Sequence, residues 1–366
     1  MTAGSGTTPA AMPMVAAVRL IAAREIRVKL RDKTFLFSTV FFLFIAVAAT
    51  VLPSVLAGSP DSVAVADQVA ATKLRDAGLT VHVVTDDDAA ERQVRDGDAD
   101  AAVVAGPQVL AMDDVPNSVV RALSVSPPVR LLNPDALDPV VAYMVPFALA
   151  FVFFLTAFTF GLQIAQGVTE EKQTRVVEIL VSAVPVRALL AGKVAALTLL
   201  AFGQVAIVSL VALVGMQLAG VDAQVANLVQ PTVAWFLPFF VLGFIMLATL
   251  WAGVGALAAR QEDIGAASMP LQMVVMLPFF AVSFLSGNDT VMRVLSYFPP
   301  TAPTAMTIRI FHADTAPWEP ILSLVVLAAT AVATLAVGAR IYEGSLLRTN
   351  GRTSFATAWR TRSTVA

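Results

Sequence analysis

Six long apolar runs alternate with polar stretches along the 366 residues of this chain. Each run approaches or exceeds the roughly 20 residues that a helix needs to cross a bilayer. The runs predict spans at residues 34–57, 140–166, 189–217, 232–258, 264–286 and 319–342. The pattern therefore predicts an α-helical polytopic membrane protein with six transmembrane helices.

Residues 58–139 interrupt this pattern. They contain short stretches typical of β-strands, such as SVAVAD, LTVHVV and DAAVVA, separated by sequences typical of helices and turns. Six basic and fourteen acidic residues give the segment a net charge of −8. Because an acidic soluble segment can be translocated, we predict a small extracytoplasmic α/β insert between the first and second spans.

Basic residues cluster on one predicted side of the membrane. Six lie in residues 19–33, four in the loop between the second and third spans, five from Arg340 onward, and one is Arg260; together they are sixteen of the chain's 24 Lys and Arg. By the positive-inside rule this side is the cytoplasm. Six spans place both termini there, so residues 1–33 and 343–366 are predicted to be cytoplasmic. The second of these segments is a basic tail. The predicted location is the cell membrane, as a multi-pass protein.

Within the N-terminal region, residues 14–33 predict an amphipathic helix at the membrane interface. Helical spacing places Arg24, Arg27 and Arg31 on one side. The opposite side is predicted to be apolar through Val15, Ala22, Ile26 and Leu30. Other basic residues interrupt the apolar side, but their long stems can carry the charge to the interface.

Residues 287–318 contain apolar helical stretches that Pro299, Pro300 and Pro303 interrupt. These stretches are too short to cross a bilayer. They predict re-entrant helices that enter the outer leaflet beside the last span. The alternative is an outer loop tethered to the neighbouring spans.

Composition narrows the function classes. At 57% hydrophobic and 14% charged residues, with a mean hydropathy of +0.78, the chain lies outside the range of ordinary soluble domains. The absence of Cys excludes disulfides and thiol catalysis, and two distant His residues make a metal site improbable. The sequence lacks a Walker-type glycine loop and a Ser-His-Asp set, so we predict no catalytic residues and no metal.

The segment 167–193 joins the second and third spans and carries an unusual set of charges. Thr169 is a favourable N-cap, the two glutamates after it fall in the first turn of a helix, and Pro185 provides a stop. These signals predict a helix at residues 168–185 on the cytoplasmic face. From these residues alone, the helix could equally be a plain amphipathic cap on two spans.

The run EEKQTRVVEILVSAVPVRALLAGK in this segment resembles the cytoplasmic coupling segment of type 2 permeases of ATP-binding-cassette exporters, especially the NatB-like branch. A weaker similarity covers residues 24–33. The resemblance implies that the helix transmits motion from an ATPase subunit. The residues assigned to it are Glu170, Glu171, Lys172, Arg175, Glu178, Leu180, Pro185, Gly192 and Lys193.

Polar residues inside the spans have two interpretations. Thr156, Thr159, Gln163, Gln204 and Gln272 could line a transport pathway, or they could form hydrogen bonds between helices. The middle parts of the predicted spans contain no Asp, Glu, Lys or Arg. Ion-coupled carriers usually need such a group within the bilayer, so this pattern argues against a secondary transporter.

Together these features predict the permease subunit of an exporter that moves a drug, a lipid-like amphiphile or an ion. The resemblance implies that a separate ATP-binding-cassette subunit binds ATP and Mg²⁺ and hydrolyses the ATP, so the permease itself binds no cofactor. It also implies a homodimer or heterodimer of permeases among membrane lipids, with no nucleic acid. The alternatives are an ion-coupled carrier or channel, and a membrane-anchored sensor built on the insert.

Overall fold

A computed structural model describes most of the chain. The described residues are 13–56, 62–104, 108–112, 117–123, 139–174, 180, 184–218 and 223–345. The chain forms two compact units, one of residues 1–46 and 137–366 and the other of residues 47–136.

The helices and strands are numbered along the chain. The helices are α1 Met14–Lys29, α2 Lys33–Leu56, α3 Gln68–Asp76, α4 Asp87–Asp96, α5 Asn117–Leu123, α6 Pro139–Gln173, α7 Val186–Leu218, α8 Ala223–Leu257, α9 Ile264–Leu285, α10 Asp289–Leu295, α11 Ala302–Phe311 and α12 Glu319–Ser345. The strands are β1 Ser62–Val65, β2 Thr80–Val83, β3 Ala101–Val104 and β4 Gln108–Leu110.

Five helical segments among the described residues are long and apolar enough to cross a membrane: α6, α7, α8, α9 with the 3-10 turn before it, and α12. They coincide with the second to sixth predicted spans and show a multi-pass helical protein. Helix α2 covers the predicted first span, but the apolar part described for it, Lys33–Ala48, is shorter than the five others. The count of six spans therefore stays a prediction.

Helix α8 lies at the centre of the helical unit and packs against α6, α7, α9, α11 and α12. Its buried face is aromatic, with Phe236, Phe240, Phe244 and Trp251 at most 1% exposed. Trp251 lies directly over Gly161 of α6, where an added Cβ would come within 2.2 Å of the indole Nε1. Only glycine fits there, and the close approach lets the indole ring fill the space between the two helices.

Helix α6 is longer than the second predicted span and continues without a break to Gln173. The prediction that Thr169 caps a separate helix is therefore wrong. Thr169 is buried, and its hydroxyl lies within hydrogen-bond distance of the carbonyl oxygens of Ala165, at 2.9 Å, and Gly255, at 3.0 Å. A threonine hydroxyl that bonds the preceding turn is compatible with a helix interior, so the N-cap residue type misled.

Helix α1 ends at Lys29, earlier than predicted, and a short turn connects it to α2. The residues that it buries are Ala17, Ile21 and Glu25, one turn apart along the helix. This stripe packs on α7. The predicted apolar side is only partly correct, since Val15 and Leu30 at its two ends are exposed while Ile26 is partly buried.

The smaller unit has the predicted α/β character. Its sheet has the order β2-β1-β3-β4, with β1 parallel to both β2 and β3, and β4 antiparallel to β3. Alternate residues of β1 point to opposite faces, so Val63 packs with α3 and α5 while Ala64 packs with α4. Asp86 caps α4 by accepting a hydrogen bond from the Ala89 amide. The run VRLLN at residues 129–133, whose pattern also predicts a strand, lies outside the described residues.

Two short helices, α10 and α11, occupy the region in which re-entrant helices were predicted. Of the ten residues of α11, nine are buried, Ile310 being the exception. Thr301, just before α11, links the two helices, because its hydroxyl is within hydrogen-bond distance of the carbonyl oxygens of Leu295 and Phe298. Such burial is greater than a loosely tethered loop would have. Their depth in a membrane stays a prediction.

Candidate coupling site at the end of the helical bundle

Three helices meet at a group of buried charges. Lys193 on α7 places its Nζ 3.3 Å from Glu25 Oε1 on α1 and 3.2 Å from Glu171 Oε2 on α6. The three side chains are 6%, 11% and 16% exposed. We call this group, with Arg24, the ion cluster.

Arg24 completes the charge pairing of the ion cluster. One of its guanidinium nitrogens lies 3.8 Å from Glu171 and 4.0 Å from Glu25, so two cations face two carboxylates. Removing charges from water costs several kcal/mol per ion, and pairing offsets this cost only when every charge has a partner. The cluster satisfies this condition, which explains how a lysine is tolerated two turns inside an apolar helix.

Gly192 allows helix α1 to reach the ion cluster. A Cβ added at Gly192 would lie 2.7 Å from Cβ and Cγ2 of Ile21 on α1. This spacing is shorter than any ordinary contact, so a larger residue would push α1 away. The Gly-Lys pair of the resemblance therefore has a local explanation, since the glycine admits α1 and Lys193 then binds its glutamate.

Lys172, which the resemblance assigns to the coupling helix, is buried inside the bundle. Its Nζ donates to the carbonyl oxygens of Ala256, at 2.8 Å, and Ala258, at 3.3 Å, and the residue is 1% exposed. These carbonyls lie at the C-terminal end of α8, where a cation also interacts favourably with the helix dipole. Lys172 thus joins α6 to α8 and is not on the surface.

The remaining predicted coupling residues fall into three groups. Glu170 is exposed at the last turn of α6. Leu180 packs against the core of the bundle, and Pro185 comes directly before α7. Arg175 and Glu178 lie outside the described residues.

Glu25 and Arg24 are site residues whose role the sequence reasoning missed. A signal was present, because Glu25 is the acidic residue in a basic helix and lies four residues after Ile21 and eight after Ala17. That spacing places it on the buried stripe. A carboxylate on a buried stripe requires a cation from a neighbouring element.

The five possible pathway residues do not gather at one place. Gln163 accepts a hydrogen bond from Lys29 and Gln204 accepts one from Thr39, both at 3.1 Å, which ties α6 and α7 to the N-terminal helices. Gln272 donates to Ser268 on its own helix. These bonds favour the helix-packing interpretation. Thr156 is buried and Thr159 is partly buried on α6, and neither of the two cavities described for the bundle is lined by any of the five.

A second buried charge group lies at the start of α12. Arg309 on α11 is 3% exposed and contacts Glu319 at 2.6 Å, Asp314 at 3.2 Å and the Ser296 hydroxyl at 3.0 Å. Burial, together with the nearby charge of Glu319, raises the pKa of Tyr297 above its ordinary value. The group locks α10, α11 and the start of α12 together, and sequence reasoning had not singled it out.

Five apolar helices of spanning length among the described residues define a multi-pass helical membrane protein. The chain belongs to the ABC-2 family transporter proteins, whose family model matches residues 118–340. The match extends from the end of the smaller unit to the last helix, and it agrees with the permease resemblance of the coupling segment.

The chain is also similar to two curated proteins over a little more than half of its length. The chain is 27% identical over 212 residues to the uncharacterized protein YhaP of Bacillus subtilis, covering 55% of this chain and 51% of the relative. It is 23% identical over 210 residues to the uncharacterized protein MJ1024 of Methanocaldococcus jannaschii, covering 57% and 51%. The chain thus spans about half the length of the curated relatives it matches. No solved structure matches.

Proposed function

We propose that this chain is the non-catalytic permease subunit of an ATP-driven exporter. The observation that carries the proposal is the ion cluster, which joins α1, α6 and α7 beside the segment between α6 and α7, in a chain of the ABC-2 transporter family. ATP and Mg²⁺ would be held by a separate ATPase subunit that docks on this segment.

The contacts at both ends of the segment support a mechanical role. At its start, Lys172 binds the end of α8 and Glu171 enters the ion cluster. At its end, the first turns of α7 carry Lys193 into the same cluster. A displacement imposed on the segment by an ATPase would therefore move four helices together.

The surface charges of the segment are proposed to recognise the ATPase. Glu170 is exposed at the end of α6, and Arg175 and Glu178 follow it in sequence. Glu171, Lys172 and Lys193 are instead assigned to holding the helices in place, because each is engaged inside the bundle. Specific docking needs charges that remain available to a partner.

The topology that fits this role has both termini and the segment in the cytoplasm and the α/β unit outside. We further propose a permease dimer with the pathway between subunits. The aromatic side chains along α6, of which Phe154 stacks on Phe279 of α9 at 4.7 Å between ring centroids, would suit an amphiphilic substrate. Sodium or another ion is less favoured, since the described buried charges lie near helix ends.

Purification of the tagged protein from its own host in mild detergent tests the proposal. The wild type should bring down an ATPase in about equal amount. The double reversal Arg175→Glu/Glu178→Arg should remove it. A matched reversal, Glu91→Arg/Arg95→Glu, changes an exposed ion pair on α4 of the other unit and should leave the ATPase bound.

Three results would count against the proposal. The wild type could bring down no nucleotide-binding protein under conditions that preserve its oligomer. The control reversal could abolish capture as fully as the reversal in the segment. The ATPase could also remain bound when the segment charges are reversed, which would place its docking surface elsewhere.

A further inference from the structure

A cavity of about 720 Å³ lies between α1, α7 and α12. Apolar side chains line most of it, among them Leu190 on α7 and Leu335 and Ala336 on α12. Three charged residues, Arg187, Arg340 and Glu343, line the rest. None of the nine residues assigned to the coupling helix is among its described lining residues.

The apolar and charged parts of the cavity are separated along α12. Val332, Leu335 and Ala336 come first, and Arg340 and Glu343 follow on the same face. From Val332 to Glu343 the helix rises about 16 Å. A ligand that follows α12 would therefore need an apolar chain at one end and a polar group at the other.

The charge at the polar end favours an anion. Arg187 Nε donates to Glu343 Oε1 at 2.6 Å, and Arg340 adds a second cation, so the lining carries a net charge of +1. Arg187 is 68% exposed, which leaves its remaining N–H groups accessible. Arginine presents several donors in a plane and suits phosphate oxygens.

We propose that this cavity is a binding site for one anionic phospholipid. An acyl chain would lie on Leu190, Leu335 and Ala336, and the headgroup phosphate would contact Arg187 and Arg340. Basic pockets between membrane helices are suited to anionic headgroups in this way. The site is separate from the proposed transport function. The bound lipid would fill the space between α1, α7 and α12 and stabilise their packing.

Native mass spectrometry of the full chain in detergent tests the site. Delipidated protein is titrated with phosphatidylglycerol and with phosphatidylcholine of the same acyl chains. The wild type should bind one phosphatidylglycerol more tightly than phosphatidylcholine. Arg187→Gln/Arg340→Gln should weaken phosphatidylglycerol binding about tenfold and erase the preference. Arg187→Lys/Arg340→Lys should retain most of it.

Two further variants test the acyl-chain contact and the headgroup contact separately. Ala336→Trp fills the apolar part and should weaken the binding of both lipids. Arg27→Gln/Arg31→Gln removes the same charge from exposed positions that do not line the cavity, and it should change neither affinity. Inorganic phosphate alone should compete only weakly, because it lacks the acyl chain.

Several outcomes would overturn the assignment. Equal binding of both lipids in the wild type, or unchanged binding in Arg187→Gln/Arg340→Gln and Ala336→Trp, would remove the lipid site. Full displacement by inorganic phosphate would leave a plain anion site. A loss of dimer in Ala336→Trp without any loss of lipid would show that a second copy of the chain fills the cavity. None of these results bears on ATPase capture, so the two proposals can fail independently.

Discussion

Lys193 Nζ lies 3.2 Å from Glu171 Oε2, so the first turns of α7 are bound to the last turn of α6 across the segment that joins them. The same ammonium lies 3.3 Å from Glu25 on α1. One lysine thus serves two carboxylates from two different helices. Helices α1, α6 and α7, which lie beside the proposed docking segment, are therefore joined by the same ion cluster.

Replacing Lys193 by Met should destabilise the bundle strongly. The change leaves Glu25 and Glu171 close together and largely buried, with Arg24 as their remaining close cation. Breaking a buried ion pair on one side costs about 3–5 kcal/mol. Thermal unfolding in detergent should show a clear fall in Tm for Lys193→Met. The Tm of Lys193→Arg should fall much less, because arginine keeps the positive charge.

A second substitution should partly rescue the first. In the Lys193→Met background, Glu171→Gln removes one of the two facing carboxylates and should restore part of the lost Tm. The coupling between the two sites is read from a double-mutant cycle. Strictly additive effects would show that the two side chains do not interact in the folded protein.

The close approach of α1 and α7 predicts intolerance at Gly192. Gly192→Val would overlap Ile21, and overpacking of this kind costs about 1–3 kcal/mol. Gly203→Val, on the same helix with no atom within 4 Å of an added Cβ, is the matched control and should shift Tm much less. If Ile21→Ala fails to relieve Gly192→Val, the overlap with Ile21 is not the cause.

The group around Arg309 predicts a second sensitive position. Arg309→Met leaves Glu319, 13% exposed, without its cation and should cost about 3–5 kcal/mol. Arg293→Met removes the same charge from an exposed site on α10 and should shift Tm little. Hydrogen exchange should locate the Arg309 effect in α10, α11 and the start of α12. An equal loss in both variants would contradict the assignment.

The smaller unit should show a pH dependence that involves Asp100. The Ser62 backbone N–H and hydroxyl both donate to its carboxylate, at 2.8 and 2.9 Å, and hold the pKa of Asp100 below its ordinary value of 3.8. Because the folded-state pKa is the lower one, the stabilisation is present above pH 3.8 and is lost as the pH falls through the folded-state pKa.

Hydrogen exchange of the β1 amides measures this effect in the full chain. At neutral pH, Asp100→Asn should exchange faster than wild type by a few-fold, because an amide oxygen accepts these bonds more weakly. The difference should shrink once wild-type Asp100 is protonated. A difference that persists after wild-type Asp100 is protonated would exclude the carboxylate as its source.

The length of the apolar runs was sufficient to predict five spans. A segment that crosses a bilayer must satisfy its own backbone hydrogen bonds, and a helix does so. Alternation in residues 58–139 also predicted strands, since a strand period of two is distinct from the helical period. These features depend on local sequence. The order of strands in the sheet, with β1 central, depends on contacts between distant segments and could not be read from the same pattern.

The candidate site was predicted only in part. Its location between α6 and α7 followed from motif residues, but the partner of Lys193 on α1 required knowledge of which helix face is buried. The contacts of Lys172 could not be predicted for a related reason, because its carbonyl partners lie 84 and 86 residues away. Thr169 shows the limit of local signals, since the same side chain is favourable at an N-cap and acceptable inside an apolar helix.

Helix α12 closes the bundle from both ends, through Glu319 with Arg309 and through Glu343 with Arg187, and it packs along α8 between them. Yet α8 ends at Leu257, and α12 ends at Ser345. At about 5–20 residues per second, several seconds of synthesis separate the two. During that interval α8 lacks the helix that packs along it and Arg187 lacks its carboxylate partner, so the bundle reaches its final packing only after the last helix is made.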